Sequence, residues 1–242
     1  MQEIFSQNGI NLTEKQLEQF NQLYELFIEW NSKINLSAIR DKEGIYIKHF
    51  LDSILATKSI DFLGFRNSDS GASSKLLDLG AGGGFPCLPL AILFPEIEIH
   101  ALDSVGKKMK AVQDMADQMK LNLKTHHGRI EDFGQDKNYR EQFNIVTARA
   151  LAPWPTLLEY TLPFVKPSGQ FIAYQGPTIT EDLLTYKNLE QKLGGELTDT
   201  FSDSYNSAGE TVQRIFVQIK KTSRTLKQYP RLVGEPKKNP LK

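Results

Sequence analysis

Two periodicities divide the chain. Up to about residue 63, apolar positions recur every three or four residues, the spacing of one helix face. Leu17, Phe20, Tyr24, Phe27 and Ile28 form such a stripe, and Thr13 with Gln16 makes a capping box ahead of it. A second helical stretch is expected over 41–62, carried by Ile45, Leu51, Ile54 and Leu55. Between them, residues 31–40 are polar-interrupted and read as a loop, and the Asn-Ser-Asp-Ser-Gly-Ala-Ser-Ser stretch over 67–74 is the best candidate linker.

From Lys75 onward the pattern alternates. Strands are expected over 75–79, 97–103, 123–127, 142–148, 169–174, 196–204 and 212–220, and helices near 86–94, 105–120, 153–163 and 178–193. Alternation of this kind predicts βαβ units, an α/β fold with a mainly parallel seven-stranded sheet, and a ligand site at the carboxyl ends of its strands. The last two strands follow one another without a helix, which predicts an antiparallel hairpin at the sheet edge. The chain divides on this reading into a helical extension over 1–66, a Rossmann-like core over 75–220 and a basic tail over 221–242.

Composition changes this picture only at the tail. With 242 residues, 40% hydrophobic and 24% charged, the chain has the balance of a soluble globular protein. Its first residues lack the basic and apolar regions of a secretory signal, no apolar run is long enough for a bilayer, and the single cysteine, Cys87, permits no internal disulfide. The expectation is a cytoplasmic protein. Net charge is zero, but Lys220–Lys242 holds eight Lys or Arg against one acid, so this stretch is +7 and residues 1–219 are −7. Basic tails commonly meet phosphate.

The chemistry centres on Leu-Leu-Asp-Leu-Gly-Ala-Gly-Gly-Gly-Phe-Pro over 76–86, with Asp103 closing the next apolar run. Glycines permit positive φ and close ligand approach, and a carboxylate ending the second strand is placed to bind a ribose diol. A dinucleotide turn wants a small residue where Phe85 stands, and a phosphate-binding P-loop would need a Gly-Lys-Ser/Thr sequence that is absent. S-adenosylmethionine, which has no pyrophosphate, does not need that third glycine. Asp78 is placed either to face the donor's ammonium group or to cap the turn's own amides.

Several blocks together resemble one family. The stretch from Leu76 to Ala91, Asn-Leu-Ser-Ala-Ile-Arg-Asp over 35–41, His-Phe-Leu-Asp-Ser over 49–53, Leu-Asp-Ser-Val-Gly-Lys-Lys over 102–108, Ala-Arg-Ala over 148–150 and the proline-rich segment over 229–241 are similar to the RsmG (GidB) methyltransferases of bacterial small-subunit ribosomal RNA. The resemblance implies a class I methyltransferase fold with an N-terminal helical extension, S-adenosylmethionine as methyl donor, and ring nitrogen 7 of a guanosine in 16S ribosomal RNA as acceptor. It places cofactor contacts at Gly80, Gly82, Phe85, Asp103, Ser104, Ile130, Glu131 and Arg149. Arg149 is also the one catalytic candidate. Cys87 stands where the family pattern leads one to expect glycine.

Ring nitrogen 7 attacks with a free lone pair, so the transfer needs alignment and no general base. That fits a sequence without an evident Ser/His/Asp triad; the adjacent His126 and His127, with His100, lack metal-ligand spacing. RNA contacts are expected from Lys33, Arg40, Lys221, Arg224, Lys227, Arg231, Lys237 and Lys238, with Tyr229 or Trp154 stacking on a base. Prolines 230, 236 and 240 predict an extended tail whose loss weakens RNA binding and spares the donor. His49 and Asp52, three apart, are expected to form a local hydrogen-bonded pair. The partner is 16S ribosomal RNA or its ribonucleoprotein, bound by a monomer away from membranes. The competing classes are a nicotinamide-dependent oxidoreductase and a non-catalytic RNA-binding protein.

Overall fold

The computed structural model describes residues 2–60, 62 and 74–242, so the linker expected over 67–74 lies outside the described residues except for Ser74. Strands β1 Lys75–Leu79, β2 Glu98–Asp103, β3 Leu123–His127, β4 Phe143–Arg149, β5 Val165–Gln175, β6 Gly195–Ser207 and β7 Glu210–Lys221 form one sheet ordered β3-β2-β1-β4-β5-β7-β6. The first five pair in parallel, and β7 runs antiparallel to both β5 and β6. β1 therefore sits centrally, with β2 on one side and β4 on the other. Where the strand order reverses in this way, a crevice opens beyond the strands' carboxyl ends.

Both sheet faces are covered. Leu76 belongs to an apolar cluster with Leu88, Ile99, Val112 and the N-terminal helices, whereas Leu77 belongs to another with Val146, Leu158, Phe171 and Val217. Neighbouring residues of a strand point to opposite faces, and buried parallel strands read as unbroken apolar runs.

Helices α1 Gln2–Gln7 and α2 Glu14–Lys33 open the chain. The capping box is present: the Thr13 hydroxyl accepts from the Gln16 amide at 3.3 Å, and the Thr13 amide donates to Gln16 Oε1 at 2.9 Å. α2 runs three residues into the expected loop. At its end the buried Asn31 Oδ1 accepts from the amides of Leu36 and Ser37, both at 2.9 Å, and so shapes the loop beyond.

The helix expected over 41–62 is a composite run, α3: an α turn Lys42–Ile45, a π segment Tyr46–Leu51, an α turn Asp52–Ile54 and a 3-10 turn Leu55–Lys58. A π segment widens the turn by one residue and redirects the chain beyond it. Phe20, Tyr46 and Phe50 pack within this layer, with ring centroids 4.9 Å apart for Tyr46–Phe50 and 5.5 Å for Phe20–Phe50.

The later helices are α4 Cys87–Leu93, α5 Gly106–Gln118, α6 Ile130–Gln135, α7 Trp154–Thr161, α8 Ile179–Thr185 and α9 Glu235–Lys238. The helix expected over 178–193 is split, because Asn188 takes φ +64° and breaks the turn before a 3-10 segment Leu189–Leu193. The sequence pattern missed α6, which at six residues is too short to display a period. The tail is not an extended arm: its prolines 230 and 236 are buried and Glu235–Lys238 is helical.

Phe27 joins the helical layer to the core, fully buried with its ring 5.1 Å from that of Phe85. Phe27→Ala should cost about 3–5 kcal/mol of unfolding free energy in a urea titration. A loss below about 1 kcal/mol would contradict this packing.

Candidate functional site

β1 ends at Leu79, and the chain then turns through Gly80, Gly82 and Gly84 at φ +71°, +55° and +97° before α4. A left-handed backbone explains these three glycines. The turn is fastened to the end of β2. Asp103 Oδ2 accepts from the Gly82 amide at 3.0 Å, and its Oδ1 accepts from the Val105 amide at 2.8 Å. Each oxygen keeps acceptor capacity for a further donor.

Asp78 resolves in favour of structure. Its fully buried carboxyl accepts from the Cys87 amide at 3.2 Å, at the start of α4, and from the Thr147 hydroxyl at 3.0 Å. Burial pushes its pKa up to about 7. Cys87 is itself fully buried, and burial raises its thiol pKa well above the ordinary value, so it packs as a small side chain.

Beside the turn lies a cavity of about 490 Å³. Gly80, Asp103, Ser104, Ile130 and Glu131 line it, together with Leu151, Ala152, Pro153, Thr156 and Tyr160. Five predicted cofactor residues thus share one space, and Gly82 is joined to it through Asp103. Asp103 and Ser104 face the apolar Ile130, Leu151, Ala152 and Pro153, and Arg129, Glu131, Thr156 and Tyr160 add further polar groups, a lining that fits a sugar attached to a purine. The size suits a small-molecule site. Another cavity, of about 560 Å³ near Gly9, Thr57 and Phe94, has Lys58 as its only titratable lining residue among those described.

Phe85 and Arg149 stand elsewhere: neither lines the cavity. The Phe85 ring stacks on His49 at 4.6 Å with the planes 7° apart, and the Arg149 guanidinium lies 5.7 Å from the Phe85 centroid. Arg149 Nη1 donates to Asp52 Oδ2 at 2.7 Å. Asp52, fully buried, also accepts at Oδ1 from Arg214 Nε at 2.5 Å and from the Tyr205 hydroxyl at 3.1 Å. One carboxylate thus holds two guanidinium groups, leaving net positive charge beside the turn.

The expected His49–Asp52 hydrogen bond is absent among the described contacts. His49 Nε2 instead pairs with the Ser37 hydroxyl at 2.7 Å, and Asp52 turns to the arginines. Burial first, and then the Arg149 charge, pushes the His49 pKa down to about 4, so its ring is neutral at physiological pH. Sequence reasoning missed Arg214 and Tyr205. They lie on the β6–β7 hairpin, far along the chain, and only the fold brings them to Asp52.

Two of the cations expected to contact RNA are engaged elsewhere. Lys221 is 1% exposed; its ammonium donates to the Leu162 carbonyl and the Thr225 hydroxyl, and burial pushes its pKa down to about 8. Arg231 is engaged by the buried Glu159, with Nε and Nη2 donating at 2.9 and 2.7 Å, and also donates to the Asn239 carbonyl. Neither is free for phosphate. Lys33, Arg40, Arg224, Lys227, Lys237 and Lys238 remain exposed, although Lys33 pairs with Glu29 at 2.6 Å. Trp154 is 2% exposed and cannot stack on a base, while Tyr229 is half-buried against the core. The tail also reaches the cavity, where Val233, Gly234 and Lys237 form part of the lining, contrary to a tail that spares the donor site.

Among the described residues, no group of three or more His, Cys, Asp or Glu side chains could hold a metal ion, and no helix is long and apolar enough to cross a membrane. His100 Nδ1 and His126 Nε2 lie 2.8 Å apart, and His100 Nε2 is 3.0 Å from Glu98, away from the cavity.

The family model described as rRNA small subunit methyltransferase G (GidB) matches residues 16–207. The chain belongs to that family. Relatives within the family include ribosomal RNA small subunit methyltransferase G of Exiguobacterium sibiricum, 39% identical over 98% of this chain and 95% of its own length. The same enzyme of Leuconostoc citreum is 41% identical over 96% of this chain and 94% of its own. Among solved structures, a 16S rRNA (adenine(1408)-N(1))-methyltransferase mutant from Catenulisporales acidiphilia aligns with a TM-score of 0.52 at 15% identity, covering 69% of this chain and 95% of its own. A Thermus thermophilus branched-chain polyamine synthase aligns at 0.57 and 13% identity over 84% of this chain and 64% of its own. These two likenesses bear on fold alone, and they match the Rossmann-like sheet found here.

Native Asp78 keeps its proton up to about pH 7, whereas an unfolded aspartate releases it near about pH 4. Its protonation therefore stabilises the fold at low pH, and that contribution is lost as pH rises from about 4 to about 7. The thermal midpoint of Asp78→Asn should gain on that of the natural protein across this window. A pH-independent difference between the two would contradict a raised Asp78.

Proposed function

We propose that this chain transfers a methyl group from S-adenosylmethionine to ring nitrogen 7 of a guanosine in small-subunit (16S) ribosomal RNA. The observation that carries the reading is Asp103, a strand-end carboxylate fastened to a glycine turn and lining a cavity of about 490 Å³. Family membership supports the rRNA substrate, and the family resemblance supports the acceptor atom. The donor supplies a methyl group already activated on a sulfonium.

What remains for the protein is binding and alignment. Asp103 accepts hydrogen bonds from the ribose diol, with Ser104 beside it. The first amides of a helix lack intrahelical acceptors, which leaves those of Ile130 and Glu131 for a purine edge. Arg149, set over Phe85 by Asp52, presents positive charge for a carboxylate or an RNA phosphate. No side chain needs to remove a proton, because ring nitrogen 7 carries none. Orienting two reactants is worth up to about 7–11 kcal/mol of barrier.

The exposed cations Arg224, Lys227, Lys237 and Lys238 supply phosphate contacts from the tail over 221–242, and Lys33 with Arg40 supply them from the extension over 1–66. The protein acts as a monomer in the cytoplasm, on the RNA or its ribonucleoprotein. A nicotinamide cofactor is disfavoured by Phe85, whose buried ring fills the place that a dinucleotide turn keeps small.

Methyl-labelled donor, 16S RNA or small subunits, and base mapping test this reading. The protein should place label on one guanosine, at ring nitrogen 7. Arg149→Ala should lower kcat/KM at least about tenfold while leaving the protein folded. Absence of label from RNA, or label on another atom, would overturn the assignment, and an unaltered rate in the variant would remove Arg149 from the site.

A further inference from the structure

We infer that the C-terminal segment over 231–238 is a wall of the methyl-donor pocket, and that Glu131 is the positioning residue that holds it there. The inference rests on the reading of the cavity as the donor pocket. Val233, Gly234 and Lys237 line the same cavity as Asp103 and Ile130. They lie about 150 residues from the glycine turn, so the spacing of that turn does not report this wall.

The contact that seats the segment is specific. Glu131 is 6% exposed, and its Oε1 accepts from the Gly234 amide at 2.9 Å and from the Tyr160 hydroxyl at 3.2 Å. Gly234 takes φ +85°, a left-handed backbone that suits glycine at this turn. A charged acceptor bound to a backbone amide in a partly buried site is among the stronger neutral-donor hydrogen bonds.

The segment is anchored on both sides of that contact. Arg231 is gripped by Glu159, and the Thr156 hydroxyl donates to the Pro236 carbonyl at 2.9 Å. Thr156 and Tyr160 both line the cavity from α7. The donor's binding surface is therefore assembled from the β2 end, α6, α7 and the tail. Glu131 Oε1 serves the tail, and the main chain at Ile130 and Glu131 is left for the purine.

Linkage makes the claim testable. If the closed segment is part of the binding surface, ligand binding must stabilise its closure by the factor by which closure strengthens binding. Calorimetric titration of S-adenosylhomocysteine into full-length Glu131→Ala should show affinity about tenfold weaker than in the natural protein. Glu131→Gln, whose amide oxygen can still accept both hydrogen bonds, should stay within about threefold. In the natural protein, saturating ligand should slow amide hydrogen exchange over 231–238. This last measurement needs no variant and decides the matter if Glu131→Ala fails to fold. Natural protein that binds the ligand without slowed exchange there, or a folded Glu131→Ala with unchanged affinity, overturns the inference and leaves the donor reading standing. Natural protein that does not bind S-adenosylhomocysteine overturns the donor reading itself.

Discussion

The bond between the Asp103 carboxylate and the Gly82 amide is the constraint on which the site depends. A glycine turn is free to take many conformations, and that freedom is lost only when something outside the turn holds it. Asp103 does so from the end of β2, and its second oxygen fixes the Val105 amide before α5. Two βα corners are thereby locked to one carboxylate. Pairing of β1 with β2 from Lys75↔Glu98 to Leu79↔Leu102 brings that carboxylate beside the turn. The crevice, its glycine lip and its acceptor for sugar hydroxyls all arise from the register.

Four other buried or nearly buried acids fasten the surrounding parts. Asp78 ties β1 to the start of α4, and Asp52 ties α3 to β4 and the β6–β7 hairpin. Glu159 holds Arg231, and Glu131 holds Gly234. Burying a charge is costly unless it is paired and hydrogen-bonded, and each of these carboxyls has at least two donors or cations around it. Arg140 performs the converse role, donating to the carbonyls of Thr225, Leu226 and Tyr229 and so drawing the tail onto the body. The buried carboxyls serve as fastening, while the exposed cations of the tail face solvent.

Legibility from sequence tracks how local each feature is. All seven strands overlap their expected spans, and β1, β2 and β4 do so because strands buried on both faces carry their signal in consecutive residues, whereas the edge strands β3 and β6 are mostly open to solvent on at least one face. β5 begins four residues before its expected start, where Pro167 and Gly169 interrupt the run. The glycine turn and Asp103 were readable because spacing along one chain reports their geometry. Arg214, Tyr205 and the Gly234 wall were not, since each reaches the site through the β6–β7 hairpin or the tail from a great sequence distance. Lys221 and Arg231 misled for a related reason: a tally of tail charge cannot distinguish a solvated cation from one enclosed by Leu162, Thr225 or Glu159. The π segment is also nonlocal in origin, since apolar spacing alone reads 41–62 as ordinary helix.

The most direct test of the account is a crystal structure of the protein with S-adenosylhomocysteine bound. The account predicts the adenosyl group in the cavity between Asp103 and Pro153, with ribose hydroxyls about 2.5–3.0 Å from the Asp103 carboxylate. A ligand seated elsewhere, or a cavity that stays vacant at saturating ligand, would contradict it.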